Sequence, residues 1–142
     1  MKAVDTNIIV RLMIEDDLAQ AERARAIFGQ EESETIFISK TVLLEAEWVL
    51  RGGYKVPKVR ILESFEALLG LANVTVEAPT VVRNALAWAQ DGLDFADALH
   101  LASAPRGEEG DGGERRIFLT FDRDLAFKSP AVRDSVEVML AK

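Results

Sequence analysis

Short apolar runs alternate with longer stretches of helical periodicity along the whole chain. Lys2 to Val4 reads as a short strand ending in Asp5, and Thr6 or Asn7 caps a helix that continues through Ile14. Glu15-Asp16-Asp17 interrupts that helix and opens a second, Leu18 to Gln30, with Leu18, Ala21, Ala24 or Ala26, and Ile27-Phe28 at roughly helical spacing. A polar loop, Gln30 to Glu34, leads to strand Thr35 to Ile38. Ser39-Lys40-Thr41 caps a helix from Val42 to Arg51, which Gly52-Gly53 close as a glycine C-cap. Pro57 starts the next helix, to Leu69, with Val59, Leu62, Phe65 or Ala67, and Leu68-Leu69 on its apolar side. Asn73 to Val76 is a third strand. Pro79 opens a helix through Gln90 that Gly92 terminates, and Leu93 to Ala104 forms another. Arg116 to Thr120 is a fourth strand, followed by a short helix, Leu125 to Lys128, and an edge strand, Ser135 to Met139.

This alternation predicts an α/β fold with a parallel sheet of four to five strands, flanked by helices on both faces. Right-handed crossovers bring the C-terminal ends of successive strands to one edge, where open α/β sheets bind ligands. At 142 residues, with no repeat and no linker, the chain reads as one domain, 1–142.

Composition narrows the chemistry. There is no cysteine, hence no disulfide framework, thiolate zinc site or cysteine nucleophile. His100 is the single histidine, which excludes a poly-histidine metal site. No basic leader precedes the first strand and no apolar run could span a bilayer, so the expected location is the cytoplasm. The net charge of −7 argues against a broad basic nucleic-acid footprint. It is compatible with nucleic-acid chemistry at a carboxylate cluster, where the countercharge comes with a metal ion.

Four acids stand out. Asp5 and Asp122 each lie just past a strand end, a place that suits either a ligand or an N-cap. Glu45 lies among Leu44, Ala46, Trp48 and Val49 and is expected to be either functional or in a salt bridge with Arg51. Glu47 points about 200° away from it on the helix, so one of the two faces solvent. Asp94 and Asp97 share a helix face. Asp94 suits the N-cap, and Asp97 is too short for the capping box and is assigned to chemistry. His100 is expected as a half-buried packing residue. Pro105 to Glu114 has the composition of a surface loop. Asp5, Glu45, Asp97 and Asp122 are thus expected to converge, and crowded carboxylates require a cation. All-oxygen ligation points to Mg²⁺ or Mn²⁺, one ion or two, a donor set suited to phosphodiester hydrolysis. Thr6, Asn7 and Thr120 could orient water or phosphate.

With these residues in view, the chain resembles the PIN domain family, in particular the VapC-type toxins of toxin–antitoxin pairs. The matching segments are Val4-Asp5-Thr6-Asn7-Ile8, Leu43 to Leu50, Asp94 to Ala102, and Leu119-Thr120-Phe121-Asp122-Arg123-Asp124-Leu125, in the family's order and spacing. The resemblance implies a metal-dependent ribonuclease with Asp5, Glu45, Asp97 and Asp122 as its acids; Asp94 and Asp124 are candidate supporting residues. It also implies a homodimer and a cognate antitoxin that docks over the active site. The acidic, glycine-rich insertion before the fourth strand departs from the family pattern. A homodimer contact is expected on the face of Leu62, Phe65 and Leu69 or on that around Trp48. Two alternatives stand beside this one: a PIN-like interaction protein without turnover, and another Mg²⁺-dependent phosphoesterase. A haloacid-dehalogenase-type site needs an Asp where Asn7 stands, and a receiver domain needs an adjacent acid pair that Val4-Asp5 does not supply.

Overall fold

The computed structural model describes residues 1–29, 34–105, 116–125 and 135–141. It is an α/β structure whose described residues form two compact units, Met1–Pro79 and Thr80–Lys142. No helix among the described residues is long and apolar enough to cross a membrane.

The first unit holds β1 (Lys2–Ala3), α1 (Thr6–Met13), α2 (Leu18–Gly29), β2 (Ile36–Ile38), α3 (Lys40–Trp48), α4 (Lys58–Leu69) and β3 (Val74–Val76). Its strands pair in parallel in the order β1-β2-β3. Asp17 starts α2 by accepting the Gln20 N–H at 3.0 Å, as an acidic residue should at a helix N-terminus. Arg11 on α1 bonds the Gln20 side chain at 2.8 Å and pairs with Asp16, which ties the two helices together. Ile9, Val10, Leu43, Leu50, Ile61, Leu62 and Phe65 make the buried core. Leu62 and Phe65, two of the three residues on one face where a second copy was expected, are core.

The glycine C-cap expected at Gly52-Gly53 is replaced by a wider turn. Val49–Gly53 forms one π turn, closed by Tyr54 N–H to Val49 O at 3.2 Å. Neither glycine takes a positive φ, and the left-handed position falls instead on Lys55, at φ 58°.

The second unit holds α5 (Pro79–Gln90), α6 (Phe95–Ala102), β4 (Ile117–Thr120) and β5 (Glu137–Leu140). β4 and β5 pair in parallel. The described strands therefore form a three-stranded and a two-stranded ladder, where the sequence suggested one sheet. The expected helix at 125–128 and the loop at 105–114 lie outside the described residues, apart from Leu125 and Pro105. The α5–α6 corner follows from one glycine. Gly92 sits at φ 118°, its N–H donates to Ala89 O at 3.2 Å, and Leu93 N–H reaches Trp88 O at 3.1 Å. This is the Schellman pattern, with Leu93 buried beneath it. Two residues later α6 begins. At its far end Arg116 donates to Ala104 O at 2.9 Å and to Ala102 O at 2.5 Å, satisfying helix-end carbonyls just before β4.

No atom lies within 4 Å of a Cβ added at Gly92, so a substitution there costs conformational strain alone. Gly92→Ala should lower stability by about 1–2 kcal/mol in urea unfolding, and Gly92→Asn by less, because Asn tolerates the left-handed region.

Candidate functional site

The parallel register sets the first half of the site. Ala3, Phe37 and Thr75 lie on one rung. Two residues further along each strand the chain reaches Asp5, Ser39 and Glu77. The ladder persists to that point through Val4 N–H to Phe37 O at 3.3 Å and Glu77 N–H to Ile38 O at 2.9 Å. Asp5 and Ser39 are still extended and both cap helices: Asp5 Oδ1 accepts the Ile8 N–H and Ser39 Oγ the Val42 N–H, each at 3.2 Å. Asp5 thus performs the capping role open to it. One oxygen suffices for the cap, and a carboxylate has a second. An open cleft of about 490 Å³ adjoins it, lined by residues including Lys2, Val4, Asp5, Ile8, Ile27 and Glu34. Another cleft of about 470 Å³, lined by Leu12, Met13, Val56, Phe65 and Arg60 among others, contains none of the candidate acids.

Glu45 is on α3, which packs beside α1. It lies in the second turn and is exposed. The buried stripe of α3 is Leu43, Ala46, Glu47 and continues to Leu50, while Thr41, Glu45 and Trp48 share the exposed side. Arg51 pairs with Glu47, not with Glu45, at 2.7 Å. Glu47, 1% exposed, is held in the core by that pair. Thr6 is buried and Asn7 exposed, so of the two only Asn7 is placed to meet a ligand from solvent.

Glu77 was not anticipated from the sequence. Its Oε2 is buried and has no hydrogen-bond partner. The available sequence signal was its position just past the end of β3, as Asp5 and Asp122 lie just past β1 and β4.

In the second unit Asp94 stands at the N-cap position of α6, yet its side chain makes no capping bond, contrary to the role assigned to it. Asp97, in the first turn, is partly buried, and both acids take part in other polar interactions. His100 is exposed, not half-buried. Beyond β4 a short relay fixes the loop: Thr120 Oγ1 accepts the Asp122 N–H at 3.0 Å, and Asp122 Oδ1 accepts the Asp124 N–H at 2.9 Å. Thr120 is therefore a positioning residue for Asp122. Asp122 and Asp124 are both exposed.

Among the described residues no three Asp, Glu or His side chains are grouped so as to hold a metal ion. The chemistry of the donors nevertheless fits a hard divalent cation. Carboxylates and hydroxyls crown the edge of the first sheet, and Mg²⁺ needs only one or two carboxylates beside water and phosphate. The orphaned Glu77 oxygen is an acceptor for which a cation or bridging water would compensate.

The family profile of the PIN domain matches residues 2–131, and the chain belongs to that family. PIN domains are in general nucleases, so the protein is placed among the hydrolases. Comparison with curated proteins gives no match.

The double role of Asp5 can be separated. Asp5→Ala removes the cap and should cost about 1 kcal/mol, whereas Asp5→Asn retains it and should unfold within a few tenths of a kcal/mol of the parent. Equal losses in the two variants in urea titration would show that the cap bond carries no stability.

Proposed function

We propose that the protein is a metal-dependent endoribonuclease and the toxin of a type II toxin–antitoxin pair. The observation that carries this is the family match over residues 2–131, a span that contains all four acids, Asp5, Glu45, Asp97 and Asp122. Placement of Asp5 at the C-terminal edge of a parallel ladder supports it, because that edge is where such sheets bind ligands. The partners in this proposal are RNA as substrate, a second copy of the chain in a homodimer, and an antitoxin protein over the active site. Residues 1–142 act as one PIN-like domain in the cytoplasm.

In this reading Asp5, Glu45, Asp97 and Asp122 would supply the negative oxygens that hold Mg²⁺ or Mn²⁺. When bound, the ion lowers the pKa of water and offsets charge on the leaving oxygen. The chain's own residues do the remaining work. The α1 cap fixes the Asp5 carboxylate in one orientation, and the Thr120 hydroxyl fixes the backbone that carries Asp122. Asn7, exposed one residue into α1, is placed to hydrogen-bond water or a phosphate oxygen.

Two measurements test the proposal. On single-stranded and structured RNA at fixed Mg²⁺, Asp97→Asn should lose cleavage by orders of magnitude, while Asp94→Asn keeps most of it. Removing one of several carboxylates should leave the apo melting temperature of Asp97→Asn unchanged or higher. Mg²⁺ or Mn²⁺ should raise the melting temperature of the parent more than that of Asp5→Asn, since the ion binds the folded acids. Metal responses that are identical in both, together with no cleavage by the parent, favour an interaction protein without turnover. A small DNA-binding protein encoded just upstream would support the toxin assignment.

A further inference from the structure

One stretch of this acidic chain has the opposite character. Trp48 to Arg60 reads Trp-Val-Leu-Arg-Gly-Gly-Tyr-Lys-Val-Pro-Lys-Val-Arg, with four basic residues and no acidic one, in a protein of net charge −7. The fold exposes its aromatic members. Trp48 is 67% and Tyr54 39% exposed, although the other tryptophan, Trp88, is only 5% exposed. Leaving two large rings in water forfeits the burial that favours them elsewhere.

One short stretch of backbone carries both. Trp48 ends α3, the π turn follows, and Val56 N–H returns to Leu50 O at 2.9 Å. Between the two rings lie Gly52 and Gly53, where an added Cβ would meet nothing within 4 Å. The two glycines leave bare backbone beside Tyr54. Tyr54 lies near Arg11, whose pKa is raised chiefly by its hydrogen bond to Asp16 and slightly further by Tyr54. Lys55 and Arg60 are exposed and make no ion pair among the described residues. On α3, Trp48 lies three residues from Glu45, on the same exposed face, at a spacing that brings side chains about 5–6 Å apart at Cβ.

We propose that Trp48–Arg60 is the track that binds the RNA strand next to the candidate acid Glu45. Trp48 and Tyr54 stack unpaired bases, and Lys55, Lys58 and Arg60 neutralise phosphates. Charge decides the occupant: a polyanion with exposed π-faces matches a basic segment with interleaved aromatics. A duplex hides those faces, so the track selects single-stranded RNA. The assignment rests on the proposal that RNA is the substrate.

The test uses the full-length chain carrying Asp5→Asn, so that RNA stays intact, and a single-stranded oligoribonucleotide of mixed sequence. Because Trp88 is buried, a change in tryptophan emission reports Trp48. The single strand should quench that emission saturably, and the same sequence as a duplex should do so far less. Trp48→Ala should weaken binding about 5- to 150-fold, and Trp48→Phe should retain most of the affinity while losing the signal. Lys55→Gln with Arg60→Gln should lower the slope of log K against log salt by about 1.4. Cleavage by the parent chain without any quenching in Asp5→Asn, or with Trp48→Ala affinity unchanged, overturns the track and leaves the ribonuclease standing. Quenching without cleavage by the parent overturns the ribonuclease and leaves the track. If Trp48→Ala instead dissociates a dimer in sedimentation while RNA affinity holds, the face is a contact between copies and the track is wrong.

Discussion

Parallel pairing of β1, β2 and β3 is the constraint from which the first unit takes its chemistry. A parallel ladder fixes not only which strands are neighbours but where each one ends. Once Ala3, Phe37 and Thr75 share a rung, Asp5, Ser39 and Glu77 must follow two residues later on the same edge. Neighbouring strands lie about 4.8 Å apart, so this edge is a row of polar groups at near-regular spacing. Two of the three are spent on helix caps, and the third keeps a buried oxygen without a partner. A shift of one residue along a strand's own direction would put Val4, Ile38 or Val76 in that row.

Capping and chemistry are not exclusive at such an edge. The orphan N–H groups of a helix N-terminus attract a carboxylate and also hold it still. Asp5 shows the combination, and the Thr120–Asp122–Asp124 relay shows a version of it without a regular helix. In both places a local hydrogen bond orients an acid that remains reachable from solvent. Asp94 is the contrasting case: the position is that of a cap, but the side chain makes no capping bond.

Helix α3 shows how one charge inside a fold frees another. Glu47 occupies a core position and is tolerated because Arg51, one turn on, neutralises it. With Arg51 so engaged, Glu45 does not have it as a partner and stays on the outer face with Trp48. The same segment then widens into a π turn, a geometry that recurs at functional sites and here turns a basic, aromatic stretch toward solvent.

Sequence by itself determined the α/β class, the order of the elements and the residues that carry the family resemblance. Those depend on local periodicity and on short motifs, and both survive into the structure: eleven of the described helices and strands fall where alternation of apolar and polar positions puts them, with ends shifted by a few residues. What it could not determine were matters set by contact with distant residues. Glu45 appeared to be enclosed because its neighbours in sequence are apolar, yet a helix buries residues at three- and four-residue spacing, and that stripe runs through Leu43, Ala46 and Glu47. Leu62 and Phe65 looked like surplus surface and are core. Glu77 carries no motif at all; only the register of three strands brings it into the row with Asp5, because pairing is a property of the sheet and not of any one strand.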